Sequence, residues 1–213
     1  MNKINGLAAA IALAAVPFAA SAQSLISYDY LQLDIIVDGE LSESGFSEDV
    51  DGFALEGSAL LHPNVFIAGQ STQGYFDDSG DDAAFDQFSF GVGGRFGLME
   101  SASSALDVYG VLNYENISFL GASFSGFGIG AGLRWAPADQ FEINASVSHV
   151  DYGKNVGAEI EALRYQLRGL FHATENLSFA LDFRFEELDI DFGGGAGGDL
   201  DYDQIRLGAR WNF

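Results

Sequence analysis

Cysteine is absent from the 213-residue chain, which excludes a disulfide framework and thiolate metal centres while leaving an oxidising compartment open. Basic residues are scarce, nine Lys and Arg against 31 Asp and Glu, so nucleic-acid binding is excluded and divalent cations or basic partners are favoured. Histidine and proline occur three times each. No apolar run reaches the roughly 20 residues that a membrane-spanning helix needs. The longest, residues 7–20, is broken by Pro17, follows Lys3 and leads into Ala20-Ser21-Ala22, a small-residue cleavage pattern. It predicts a cleaved signal peptide over 1–22 and one β-barrel domain over 23–213.

What is present is aromatic and alternating. Hydrophobic residues make up 48% of the chain, with 19 Phe, too apolar for a disordered acidic polymer. From residue 25 onward the hydrophobic period is two, and Pro63 and Pro137 fall between periodic runs. The clearest rows are Phe127, Ile129, Ala131, Leu133 and Trp135; Leu177, Phe179, Leu181, Phe183 and Phe185; and Ile205, Leu207, Ala209, Trp211 and Phe213. Ten strands are predicted, at about 25–37, 50–62, 65–76, 86–98, 105–116, 124–135, 140–151, 159–172, 177–187 and 203–213. Most have the roughly 10 to 12 residues of a tilted membrane strand, longer than is usual in soluble sheets. The fold class expected is all-β, a transmembrane antiparallel up-and-down barrel with short periplasmic turns and longer acidic outer loops at 38–49, 77–85, 117–123, 152–158 and 188–202.

Charge parity adds detail. Arg95, Arg134, Arg164, Arg168, Arg184, Arg206 and Arg210 each oppose the apolar row of their strand, as do Asp34, Glu56, Asp107, Glu115, Glu142, Asp182 and Glu186. With the apolar rows toward lipid, these groups form a lumen charge network, because a charge on the lipid face costs about 2–4 kcal/mol at mid-depth. Two readings stay open: a lumen filled by Arg–carboxylate pairs, or a narrow polar path selecting solutes or cations. Glycines at inner positions 91, 93, 97, 126, 128, 130 and 132 leave room beside inner Tyr109.

No metal centre is specified. Asp77, Asp78, Asp81 and Asp82 could bind a divalent cation weakly without matching a spaced calcium loop. No cofactor is expected, and the Gly-rich stretch at 193–198 lacks the Lys-Ser/Thr of a phosphate cradle. His62 and His172 sit beside predicted turns. His149 neighbours Ser148 and Asp151, but adjacent strand residues face opposite ways, so a catalytic triad is not expected and the chain is read as a non-enzyme.

Several pieces resemble a family. Residues 1–22, the strand Gly126-Phe127-Gly128-Ile129-Gly130-Ala131-Gly132-Leu133-Arg134-Trp135 and the ending Ile205-Arg206-Leu207-Gly208-Ala209-Arg210-Trp211-Asn212-Phe213 resemble the small outer-membrane β-barrel proteins of Gram-negative bacteria, the OmpX-like and opacity-like group. Ser27-Tyr28-Asp29-Tyr30 and Leu61-His62-Pro63-Asn64 are similar to pieces of small outer-membrane proteins of xanthomonads. The resemblance implies location in the outer membrane, contact with lipopolysaccharide and recognition of Phe213 and Trp211 by the barrel-assembly machinery. It implies no shared reaction: such proteins serve envelope integrity, adhesion, host interaction or porin-like passage of small solutes. Common members have eight strands, which makes eight the alternative to the ten counted. The ten-stranded omptin proteases are longer, and their acid and His pairs have no counterpart here.

Overall fold

The computed structural model describes residues 25–43, 45–76, 84–119, 122–155, 157–193 and 196–213. The predicted signal peptide and Asp77, Asp78, Asp81 and Asp82 lie outside the described residues. Ten strands run β1 (Tyr30–Glu43), β2 (Phe46–His62), β3 (Val65–Phe76), β4 (Ala84–Glu100), β5 (Ala105–Phe119), β6 (Ala122–Ala138), β7 (Phe141–Asn155), β8 (Ala158–His172), β9 (Leu177–Gly193) and β10 (Ala196–Asn212). Each pairs with its sequence neighbours, and β1 pairs with β10, so the sheet closes into a barrel with no free edge. The closing seam is antiparallel, with Leu31 opposite Trp211 and Ile35 opposite Leu207.

The alternating residues sort cleanly at mid-height. Leu33, Ile35, Phe96, Leu112, Ile129, Leu167, Phe179, Leu181, Leu207 and Trp211 stand exposed on the outside, while Gln32, Asp34, Glu115, Arg168, Asp182 and Arg210 are buried inside. Such an exterior is stable only against hydrocarbon, since a soluble protein of this size rarely exposes so continuous an apolar surface. A closed sheet is what allows backbone polar groups to cross that hydrocarbon fully paired.

Strand length departs from expectation. The strands reach 17 residues in β2, β4, β6, β9 and β10, well beyond the roughly 9–11 that span a bilayer. In β1, β2, β9 and β10 the extra length lies at the end opposite the chain termini and absorbs most of the stretches expected to be loops: β1 runs to Glu43, β2 starts at Phe46, and β9 and β10 extend through residues 188–193 and 196–202, while β4 and β6 also lengthen toward the termini, to Glu100 and Ala138. Connections at the two ends of the barrel therefore differ little in length, apart from 77–83. The barrel is asymmetric in the height of its wall.

Above the apolar band β7, β8, β9 and β10 exchange their faces. In β9 the outer row passes from Phe183 and Phe185 to exposed Glu187, Asp189 and Asp191, while the inner row passes from Arg184 and Glu186 to Leu188 and Ile190. In β10 outer Ile205 gives way to Asp203, Asp201 and Asp199, and inner Arg206 to Tyr202 and Leu200. β8 changes from outer Leu163 to Glu161 and Glu159 as inner Arg164 yields to Ala162 and Ile160. β7 follows with outer His149 and Asp151 against inner Val150 and Tyr152. The cause is the solvent: where the outside is lipid the apolar row faces out, and where it is water the same wall must bury its apolar row inward.

In β1 a register shift between Ile36 and Asp38 rephases the strand, so that Leu41 faces in and Glu40 out. The other end also differs from expectation. Strand β1 begins at Tyr30 rather than residue 25. Residues 25–29 turn inward, with Ile26 and Tyr28 buried in the mouth. Ser27 and Asp29 exchange a backbone-to-hydroxyl turn, and Asp29 Oδ1 accepts the Leu60 N–H at 2.7 Å. This segment is pinned as a stopper.

Candidate functional site in the barrel lumen

The inner face is layered. At the end that carries the chain termini, two guanidinium groups lie over the Tyr28 ring, Arg95 4.9 Å and Arg134 4.4 Å from its centroid, and the ring tilts against Phe66 at 4.9 Å. A cation over an aromatic face is attracted by the ring quadrupole. Arg95 pairs with Asp107 at 3.1 Å and donates to the Pro63 carbonyl at 2.7 Å. Arg134 grips Glu142 with two bonds, of 2.6 and 3.0 Å. Ile26, Tyr28, Phe66, Ala105 and Ala136 form an apolar cluster around these pairs.

The middle layer centres on Arg168. Its two terminal nitrogens donate to both oxygens of Glu56, at 2.9 and 2.7 Å, and Nη2 also reaches Asp182 at 2.7 Å. Tyr30 donates to Glu56 at 2.5 Å, and Arg210 lies 3.8 Å from the Tyr30 ring centre. Arg210 Nε donates to Gln32, and Gln32 in turn to Asp34, both at 2.7 Å. One layer higher, Arg164 pairs with Glu186 at 2.7 Å and Glu115 at 3.7 Å, while Gln87 donates to both Glu186 oxygens at 3.0 Å.

All fourteen candidate lumen charges thus face inward, and they do not pair one to one. Arg164 and Arg168 each hold two acids. Arg184 donates instead to Gln70 at 3.0 Å and Arg206 to Gln204 at 2.6 Å. Among the described residues, Arg184, Arg206 and Arg210 have no carboxylate within salt-bridge distance.

Between the lower and middle layers lies a cavity of about 130 Å³, bounded by Tyr30, Glu56, Phe66, Gln70, Tyr109 and Asn144 among others. The ionic layers are capped above by Leu41, Val50, Phe76, Phe85, Ile117, Phe124, Val150, Tyr152, Leu188 and Tyr202, the inward rows of the extended wall. Sequence reasoning missed this apolar seal. Its signal was the face exchange, readable in the alternation of Asp189, Ile190 and Asp191 or of Asp199, Leu200, Asp201 and Tyr202.

Glycine makes room in the lumen at Gly132. A Cβ there would stand 2.5 Å from Tyr109 Cζ and 2.8 Å from the Ala145 carbonyl oxygen, and Tyr109 donates to Asn144 at 3.0 Å. Gly132→Val should therefore displace Tyr109 and destabilise the barrel by about 1–3 kcal/mol, the range for overpacking. A urea unfolding midpoint equal to wild type would disprove the fit.

The remaining candidates are peripheral. His149 is exposed on the outer wall, 4.0 Å from Glu161, whereas Ser148 belongs to the inner row. His172 Nδ1 meets Ser178 Oγ at 2.7 Å, and His62 Nδ1 accepts the Asn64 N–H at 3.4 Å. Trp211 and Phe213 lie exposed at the periplasmic rim, and the Phe213 N–H is held by the Asp29 carbonyl at 3.2 Å. On the acidic collar, partial burial together with Asp201 and Glu40 raises the pKa of Asp203. A carboxyl raised on folding favours the native state when protonated, so this contribution is present at low pH and is lost as pH rises through the folded pKa.

A closed sheet, an apolar belt facing out, charges facing in and a water-adapted collar on one end together define an integral β-barrel of the outer-membrane type. The chain is a membrane-spanning β-barrel protein. No protein-family model matches it, and no curated protein matches it. Among solved structures it is similar to neisserial surface protein A, at 14% identity over 88% of this chain and 98% of that one, with a TM-score of 0.42. The attachment invasion locus protein Ail of Yersinia pestis gives 17% identity over 88% and 100%, with a TM-score of 0.36. The outer membrane protease OmpT of Escherichia coli gives 11% over 88% and 98%, with a TM-score of 0.46.

Proposed function

We propose that this protein is a non-conducting, non-enzymatic envelope barrel that works through its outer collar. The observation that carries this reading is the double seal on the lumen: Ile26, Tyr28 and Phe66 below, the Phe76, Phe85, Phe124 and Tyr152 layer above, and ion pairs between. Barrels of about eight strands are filled by side chains, and open channels arrive near sixteen, so ten strands sealed in this way favour a plug over a path. The non-enzymatic part is supported by the placement of Ser148 inside the wall and His149 outside it, which separates a nucleophile from its base.

The collar then offers exposed carboxylates at Glu40, Asp49, Asp51, Glu159, Glu161, Glu187, Asp189, Asp191, Asp199 and Asp201. Divalent cations can bridge such oxygens to the anionic groups of lipopolysaccharide, and a basic surface outside the cell fits the same charge. Recognition by the barrel-assembly machinery through Trp211 and Phe213, and kinship with small xanthomonad barrels through Ser27-Tyr28-Asp29-Tyr30, belong to the same reading.

The test is planar-bilayer recording on pure folded protein. No unitary current steps are expected. Stepwise, cation-selective currents would replace this reading with a narrow transporter whose path includes the 130 Å³ cavity.

A further inference from the structure

The upper lumen contains a surplus of buried donors. Arg206 is fully buried and its Nη1 and Nη2 have no hydrogen-bond partner; neither have Arg184 Nε, Gln204 Nε2 and Tyr202 Oη. These groups lie together because β9 and β10 pair Arg184 with Gln204, Glu186 with Tyr202 and Asp182 with Arg206, all on the inner face. The charged and titratable groups that bear on Arg206 are Arg184, Asp182, Tyr202 and Asp34. Their acids are largely committed. Asp182 Oδ2 accepts from Arg168 and Gln166, Asp34 Oδ1 accepts from Gln32, and only Asp182 Oδ1 and Asp34 Oδ2 are left without donors. Two guanidinium groups therefore share one stretch of the inner face with four orphan nitrogen donors and the Tyr202 hydroxyl against two orphan carboxylate oxygens.

We propose that a small monovalent anion of chloride size binds between Arg184 and Arg206. An anion only accepts hydrogen bonds, so it removes the donor surplus directly; a water molecule brings two donors of its own and leaves the imbalance in place. It also screens two like charges that, among the described residues, have no carboxylate within salt-bridge distance. A void of about 10 Å³, on the order of one water-sized sphere, lies against Arg184 on the side of Gln70, Gln87, Glu115 and Arg164, and Arg206 does not line it. Packing on this scale around Arg184 leaves room for no more than a monatomic ion and turns away sulfate or phosphate. The site does not depend on the collar reading, because a halide can be held in a sealed or a conducting lumen.

The experiment is crystallisation of the folded protein in sodium bromide, with anomalous diffraction at the bromine edge. A peak within hydrogen-bond reach of both Arg184 and Arg206 is expected, and its absence overturns the proposal. In detergent solution the unfolding midpoint should rise by about 5 °C on replacing gluconate with chloride at constant ionic strength. Arg206→Gln should abolish that rise, and Tyr202→Phe, which keeps the ring in the apolar cap, should reduce it while leaving the fold intact. A full chloride response in both variants, or no response in wild type, would place the ion elsewhere or nowhere. Conductance does not enter this readout, so failure here is distinguishable from failure of the closed-lumen reading.

Discussion

Replacing Arg168 by Met is expected to cost about 3–5 kcal/mol of stability, which is enough to lose much of the folded barrel. The residue is fully enclosed, and its guanidinium neutralises Glu56 on β2 and Asp182 on β9 simultaneously. Met keeps the approximate length of the side chain and so isolates the electrostatics from the void. Two carboxylates would remain in a lumen that offers Glu56 only Tyr30, and Asp182 only Gln166, as local donors. Removing one member of a buried ionic group is worse than removing all of it, because the survivor keeps its desolvation penalty with no partner. The triple variant Arg168→Met, Glu56→Gln, Asp182→Asn should therefore recover most of what the single variant loses. Urea titration followed by Trp135 and Trp211 fluorescence measures both, and a triple variant no more stable than the single one would show that the loss was packing rather than charge.

That network was half legible in the sequence. Alternation alone places Arg168, Glu56 and Asp182 on the inner face, because in a strand parity is orientation. It does not say which acid meets which base. Glu56 and Arg168 are 112 positions apart on strands that are not neighbours, and their meeting depends on how far each strand is staggered around the closed wall. Counting seven acids against seven arginines suggested mutual neutralisation, whereas Arg184 and Arg206 end beside amides. Stagger is a property of the whole ring of registers, and no local pattern encodes it.

The collar was concealed for a different reason. A stretch such as Glu187, Leu188, Asp189, Ile190, Asp191 keeps a perfect period of two, yet its polarity is opposite to that of Phe183, Arg184 and Phe185 just before it. Read under the single rule that apolar means lipid, the exchange looks like the end of a strand. It is the end of the membrane. In β1 the register shift between Ile36 and Asp38 compounds the effect by breaking the period where the environment changes. The inward turn at residues 25–29 was hidden similarly, since Ile26, Tyr28 and Tyr30 continue the alternation of a strand that has not yet begun.

If the face exchange marks the lipid boundary, arginine substituted along the outer row of β10 should report depth. Leu207→Arg, in the middle of the apolar row, is expected to destabilise the barrel by about 2–4 kcal/mol, and Ile205→Arg by less as it nears the boundary. Asp201→Arg, one outer position above Asp203, should cost close to nothing, because the guanidinium enters water and its new charge relieves the acidic neighbour Glu187 across the β9–β10 pair. Leu207 and Asp201 share one face of one strand, lie beside the regular pairs Ile35 and Leu181 or Ser42 and Glu187, and differ only in what surrounds the wall. Reversible unfolding in lipid vesicles measures the series. A cost that falls steeply between Leu207 and Asp203 fixes the outer face of the bilayer on this barrel, and a flat profile across the row would mean that the apolar belt is buried against another protein surface rather than lipid.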